Sequence, residues 1–307
     1  MKLGLSIPQV GVNGTRENAL KLAQAAEKEN FESLWVQERL LWPINPQSKY
    51  PATPDGSLRE EYQHSLDSMN LLSYIAANTS KILLGTGIIV NAFHLPVRFA
   101  KEAATLDILS QGRFICGLGI GWSKDEFQTS NIPFEKRGAR QDEFIQAIKK
   151  VWTDDVVEFN GEFYNIPASK IGPKPVQKPH PKILLGGFGP KTFERIANYA
   201  NGYLGALAMP IPTFEQLISG FKQAIEKAGK NAENFDVSTL TFPQISETSS
   251  GNSERFPMTG TIEEVGNDIE KLKEIGVDRV ILVEFAGDGY DVGKSVQVAK
   301  ELKKFAD

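Results

Sequence analysis

Four groups of residues in this 307-residue chain have the types and spacing to do chemistry. Gly186-Gly187-Phe188-Gly189-Pro190 joins the end of an apolar run to a polar, helical one. Glycine lets a backbone approach a ligand closely, and a helix starting near Lys191 offers unpaired N–H groups and a positive dipole end. Such a turn binds phosphate, or it is a tight connection that needs glycine only for its φ angles. Glu38-Arg39 places a carboxylate beside a guanidinium, which can orient a substrate, polarise a carbonyl, or form a surface ion pair. His94, just before Pro96, reads as an acid–base group or cofactor contact, or as a histidine satisfied by backbone at a helix start. Gly117-Leu118-Gly119-Ile120-Gly121 has the spacing G-x-G-x-G, not that of a dinucleotide fingerprint. These glycines leave room over a strand end for a flat ring with Trp122 as its wall, or serve close packing of the strand.

Other chemistries lack their residues. The histidines His64, His94 and His180 do not form a helical metal motif, so no metal is expected. No serine-nucleophile elbow and no P-loop is present. Cys116 is the single cysteine and lies in Phe114-Ile115-Cys116, where a buried small hydrophobe is expected rather than a nucleophile. The formal net charge is −4, with lysine and arginine scattered, which argues against a nucleic-acid partner. No stretch is long and apolar enough for a membrane span, and Met1–Pro8 is too short for a signal peptide, so a cytoplasmic location is expected. The partner is then a small-molecule substrate.

Elements must position these groups, and their alternation is regular. Strands are expected at Leu3–Pro8, Ser33–Gln37, Ile82–Val90, Arg113–Gly119, Lys182–Leu185, Gly202–Leu204, Asp236–Thr241 and Arg279–Val283. Helices are expected at Thr15–Asn30 (capped by Thr15), Leu66–Asn78, Pro96–Leu109, Glu135–Trp152, Lys191–Ala200, Thr213–Ala228, Thr261–Ile275 and Val292–Phe305. Strands separated by helices pair in parallel, and eight such units in order favour a closed barrel over a doubly wound sheet. The fold class expected is α/β, a single (β/α)8 TIM barrel over residues 1–307, with insertions after strands 2 and 4. Those insertions are Glu38 to about Gln63 and Thr153–Pro181, both expected on the site face. Barrel sites are built at strand C-terminal ends. That rule selects Gln9, Gln37 to Arg39, Asn91 to His94, Gly119 to Trp122, Gly186 to Pro190, Tyr203 to Ala206, Phe242 to Gln244, and Glu284.

The stretch Ala100-Lys101-Glu102-Ala103-Ala104-Thr105-Leu106-Asp107-Ile108-Leu109-Ser110-Gln111-Gly112-Arg113 resembles the "AK-x-x-ATLD-x-LS-x-GR" element of the luciferase-like family of flavin and deazaflavin oxidoreductases. Gly117 to Trp122 and Glu126 follow in place. Pro173-Lys174-Pro175-Val176-Gln177 with Pro179-His180-Pro181 and Gly186-Gly187, then Thr259 to Val265 with Gly276-Val277-Asp278, are similar to later family elements. Lys49-Tyr50-Pro51 with Pro54-Asp55-Gly56, and Glu135 to Arg140, resemble a subgroup assigned to coenzyme F420, a 5-deazaflavin.

The resemblance implies a cofactor ring, F420 or alternatively FMN, near a bulged third strand at Gly87-Ile88, where relatives often carry a non-prolyl cis peptide. It implies ring contacts with Gly121 and Trp122, a phosphate contact at Gly187, Phe188, Gly189 and Pro190, and a homodimer through barrel helices. The implied activity is hydride transfer to or from a small organic substrate, with Glu38, Arg39 and His94 as catalytic candidates. FMN would permit oxygen-dependent monooxygenation. One departure is specific: relatives commonly place histidine after the acidic residue that ends the second strand, and this chain places Arg39 there. Two rivals stand beside that reading. One is a non-catalytic flavin-binding barrel. The other is a cofactor-free lyase or isomerase, which needs a lysine or acid–base pair inside the barrel.

Overall fold

The computed structural model describes residues 1–53, 55–249, 251, 255–283 and 290–306. Its strands are β1 Lys2–Ser6, β2 Ser33–Val36, β3 Leu83–Thr86, β4 Ile89–Val90, β5 Phe114–Gly119, β6 Val157–Asn160, β7 Asn165–Ser169, β8 Lys182–Leu185, β9 Gly202–Ala206, β10 Asp236–Thr241, β11 Gln244–Ile245, β12 Thr259–Gly260 and β13 Arg279–Leu282. Its helices are α1 Arg16–Lys28, α2 Ser68–Asn78, α3 Pro96–Leu109, α4 Lys124–Thr129, α5 Arg137–Thr153, α6 Pro190–Tyr199, α7 Ile211–Lys227, α8 Ile262–Glu274 and α9 Val292–Ala306.

The sheet runs β3-β2-β1-β13-β10-β9-β8-β5-β4, and pairing of β3 with β5 closes it. Because β3 and β4 are two halves of one position, this is a parallel barrel of eight positions, the expected (β/α)8 fold. Side chains alternate across each strand. On β5, β8 and β13 the residues Ile115, Leu184 and Ile281 fill the barrel interior with Trp35, Leu204 and Val283. Their neighbours Phe114, Cys116, Ile183, Leu185, Val280 and Leu282 face the helices. Trp35, 1% exposed, plugs the interior. It fits because Gly85 on the neighbouring strand is bare: a Cβ there would lie 2.4 Å from its ring.

Local signals set the helix ends. Thr15 accepts the Asn18 N–H at 3.1 Å and caps α1, as expected. Thr261 and Glu264 form a reciprocal capping box on α8. Burial pushes the Cys116 thiol pKa well up, consistent with a packing role.

The family-like stretches act structurally. Asp107 accepts both the backbone N–H (3.0 Å) and the side-chain amide (2.6 Å) of Gln177, so the α3 element and the proline-rich element are one joint. Arg113 donates to the carbonyls of Ala76, Thr79, Ile82 and Ser110, satisfying the end of α2.

One expectation fails. The segment Thr153–Pro181 follows helix α5 and precedes β8, so it enters and leaves the barrel at the strand N-terminal ends rather than on the site face. It folds as the antiparallel hairpin β6–β7 along α5, where Glu143 accepts the N–H groups of Glu162, Phe163 and Tyr164 at 2.7, 2.9 and 3.2 Å.

Candidate active site

Between β3 and β4 the Gly87-Ile88 peptide is cis. The Gly87 N–H donates to the Val36 carbonyl at 2.6 Å, and the Glu38 N–H donates to that of Ile88 at 3.2 Å. The end of β2 is thereby laced to both sides of the bulge. Gly117 and Gly119 on β5 make the bulge possible. A Cβ at Gly117 would lie 1.8 Å from the Thr86 carbonyl oxygen, and one at Gly119 would lie 1.8 Å from Ile88 Cδ1. Close packing is what these two glycines show: they accommodate the bulge.

Glu38 is held on three sides. Besides its N–H bond to Ile88, its Oε2 accepts the Val90 N–H at 2.7 Å and its Oε1 lies 2.7 Å from His94 Nε2. His94 reaches it from the turn after β4, packing against Phe99 at 5.4 Å between ring centroids. Burial by itself lowers the His94 pKa. The hydrogen bond and charge of Glu38, with smaller contributions from Glu102 and Asp67, outweigh it and hold the pKa above the ordinary 6.5. The Glu38 contact thus favours the imidazolium form and leaves Nδ1 for another partner.

Glu38 and Arg39 do not pair with each other. Arg39 Nη1 donates to Glu126 Oε1 at 3.1 Å, and the same oxygen accepts the Leu40 N–H at 2.9 Å. The guanidinium lies between two rings, 5.3 Å from the Tyr62 centroid and 5.1 Å from that of Trp122. Tyr50 completes the wall, 5.3 Å from Trp122 and with its hydroxyl 3.3 Å from that of Tyr62. Burial, then Tyr62, pushes the Tyr50 hydroxyl pKa far up. Glu126 was absent from the sequence candidates for this site. It sits on α4, a helix of six residues capped by Ser123, and the pattern Ser123-x-x-Glu126 is a helix-start signal that marks the spot. Desolvation raises its carboxyl pKa more than Arg39 and the Leu40 and Leu41 N–H groups lower it.

The Gly186–Pro190 turn begins where the Gly186 N–H donates to the Leu118 carbonyl at 2.9 Å. Gly187 and Gly189 have φ of 134° and 92°, accessible in practice only to glycine. Gly189 caps α6, and Pro190 occupies the first helical position with no N–H to satisfy. Among the described residues, no protein acceptor takes the N–H groups of Gly187, Phe188, Gly189 or Lys191. A Cβ on Gly186 would lie 3.4 Å from Ile88 Cγ2, so the turn and the cis bulge adjoin.

A small cleft opens beside the bulge, lined chiefly by Trp35, Val36, Gln37, Gly87, Leu240 and Phe242. Gln9 also borders it, but its amide is used internally: Nε2 donates to the Gln37 and Leu66 carbonyls, both at 2.6 Å, and Oε1 accepts the Gln37 N–H at 2.9 Å. It clips β1 to β2. Gly121, with φ of 76°, packs against Phe127 and Val90, and a Cβ there would lie 2.8 Å from each. Tyr203 faces outward between Phe193 and Phe221. His64 lies 3.4 Å from the Gly14 carbonyl, and His180 packs on Trp152. Neither joins His94, and no cluster of metal-ligating side chains occurs among the described residues. Glu284 lies outside the described residues.

A family model described as luciferase-like monooxygenase matches residues 1–262. An uncharacterised protein of Mycobacterium tuberculosis is 36% identical over 184 residues, which is 59% of this chain and 65% of that protein. The FMNH(2)-dependent dimethylsulfone monooxygenase of Pseudomonas putida is 34% identical over 170 residues, 54% of this chain and 42% of its own. Among solved structures, monooxygenase RslO1 from Streptomyces bottropensis superposes with a TM-score of 0.81 at 21% identity, covering 99% of this chain and 98% of its own. The coenzyme F420 dependent tetrahydromethanopterin reductase from Methanopyrus kandleri does so with a TM-score of 0.75 at 19% identity, covering 97% of each chain. At such identities the structural likeness speaks for the fold, and the family match speaks for descent: the chain belongs to the luciferase-like monooxygenase family.

Proposed function

We propose that the protein is an oxidoreductase transferring a hydride between coenzyme F420 and a small organic substrate. The observation that carries this reading is a turn with four N–H groups that no protein acceptor takes among the described residues, abutting the bulge between β3 and β4. A phosphate-bearing tricyclic ring fits that combination: the turn supplies donors and a helix N-terminus for the phosphate, and the bulge and Trp122 supply flat walls. Gly187, Phe188, Gly189 and Lys191 would hold the phosphate through backbone N–H groups. When bound, the deazaflavin supplies a two-electron hydride-transfer centre. Glu38 keeps His94 protonated and oriented, so that His94 Nδ1 holds the proton exchanged with a substrate oxygen. Arg39 would polarise that substrate. The apolar floor of the cleft, Trp35, Leu240 and Phe242, excludes water from the reacting centre.

A second reading is an FMN-dependent monooxygenase, favoured by the name of the Pseudomonas putida relative. Both cofactors carry the phosphate the turn would take. Titrating F420 and FMN separately against intrinsic tryptophan fluorescence distinguishes them, and micromolar binding of F420 with slower turnover of FMN is expected. Micromolar binding of FMN alone, with oxygen consumption, replaces the first reading by the second. Binding of neither removes both.

A further inference from the structure

Three of the ties that hold the loop after β2 lie on or beside α4. The Gln47 N–H donates to Asp125 at 3.0 Å, and its amide donates to Asp125 and Gln128 at 3.2 and 2.7 Å. The Lys124 N–H donates to Ser48 Oγ at 3.1 Å. Those two ties are solvent-exposed and correspondingly weak. The third is Glu126, whose side chain is 4% exposed and whose single oxygen Oε1 takes both Arg39 and the Leu40 N–H. The aromatic wall of the mouth joins Tyr50 and Tyr62 of this loop to Trp122 after β5: Tyr50 meets Trp122 directly, and the Arg39 guanidinium lies between the Tyr62 and Trp122 rings.

We propose that Glu126 is a positioning residue that latches the loop after β2 over the barrel mouth and fixes Arg39 between Tyr62 and Trp122. It touches neither the cleft lining nor the phosphate turn, so it acts through Arg39 and Leu40. Its two bonds divide the work. The Leu40 N–H bond needs only an acceptor, which an amide also offers, and it holds the loop. The Arg39 bond needs the charge, and it orients the guanidinium. The Arg39 Nε is buried without an acceptor, so the bond to Glu126 is what orients the guanidinium between the Tyr62 and Trp122 rings.

Only the kinetic arm of the test rests on the proposed oxidoreductase reading. In the ligand-free protein, Glu126→Ala is expected to speed trypsin cleavage after Lys49 and Arg59 on the order of tenfold, by favouring local opening. It is also expected to raise acrylamide quenching of Trp122 fluorescence, read against a Trp122→Phe background. Glu126→Gln is expected to keep the loop protease-resistant while the quenching still rises. With cofactor and a substrate, Glu126→Gln raises KM more than it lowers kcat, a split that general loss of stability does not produce. Asp125→Ala, at an exposed tie, serves as the control and leaves quenching unchanged. Wild-type cleavage and quenching in a folded Glu126→Ala protein overturn the latch. If that variant does not fold, wild-type quenching in Glu126→Gln overturns it instead. Should wild type bind neither cofactor, the oxidoreductase reading falls while proteolysis and quenching still decide on Glu126.

Discussion

The barrel carries a buried arginine–glutamate pair at each end, and the two are built differently. At the N-terminal end, Arg279 is 2% exposed and grips Glu32 with both prongs, Nε to Oε2 at 2.8 Å and Nη2 to Oε1 at 2.7 Å. Its Nη1 donates to Ser238 Oγ at 2.9 Å. Burial pushes the Glu32 pKa up, but the bond and charge of Arg279, helped by Ser33 and Lys2, more than reverse this and leave it lowered. At the C-terminal end, Arg39 donates from Nη1 to Glu126, leaves Nε unsatisfied, and borrows the faces of Tyr62 and Trp122. Glu126 is left with a raised pKa. The same two residue types thus form a saturated joint in one place and an unsaturated one in the other. A saturated pair has nothing left to offer a ligand. The unsaturated pair, on a loop, keeps a buried donor without a partner.

The comparison breaks if the two pairs respond alike. Glu32→Ala strands a buried guanidinium and is expected to cost about 3–5 kcal/mol in urea unfolding, with cofactor affinity of the folded protein unchanged. A loss below about 1 kcal/mol would place the lower pair among the dispensable ones. Next in size is the phosphate turn. A valine at Gly187 must adopt a φ of 134° and would meet Thr192 Oγ1 at 2.9 Å. Gly187→Val is expected to weaken FMN or F420 binding roughly tenfold, about 1.4 kcal/mol, while barely affecting riboflavin, which has no phosphate. Equal weakening of FMN and riboflavin would show that the turn shapes the ring site instead.

How far the sequence discloses this molecule follows from the range of the forces involved. The strands Lys182–Leu185 and Asp236–Thr241 and the helix Pro96–Leu109 are found where the pattern places them, because a parallel barrel writes each strand as an apolar run and each helix as a 3.6-residue period. The third strand reads as continuous Ile82–Val90 but is split. The split depends on the absence of Cβ atoms on Gly117 and Gly119, about thirty residues away, and periodicity does not register it. The hairpin β6–β7 passes unread because its surroundings are rich in proline, and its position follows from counting which element precedes it. At the site, Glu38, Arg39 and His94 are legible as residue types at a strand end. Their partners are not: Glu38 meets His94 across 56 positions and Arg39 meets Glu126 across 87. Adjacency suggests a Glu38–Arg39 pair, and tertiary packing makes two separate ones.

The smallest effect expected is also the one that separates the two ends by sign. Glu32 has a lowered pKa in the fold, so its contribution is present at neutral pH and is lost as pH falls below the ordinary 4.5 through the folded value. Glu126 and His94 have raised values. Their protonated forms are favoured by folding, so stability they contribute is present below 4.5 and 6.5 respectively and is lost as pH rises past those values. Urea midpoints measured across this range should therefore fall toward both extremes in wild type. Glu32→Gln should flatten the acid limb alone, and His94→Asn the limb above 6.5 alone. Asparagine retains a donor for Glu38 but cannot titrate, so the change reports proton binding more than lost packing. A neutral-to-alkaline limb unchanged in His94→Asn would mean that His94 is neutral in the fold. It would then have no proton to give at Nδ1, and the acid–base role proposed for the Glu38–His94 pair would have to pass to another group.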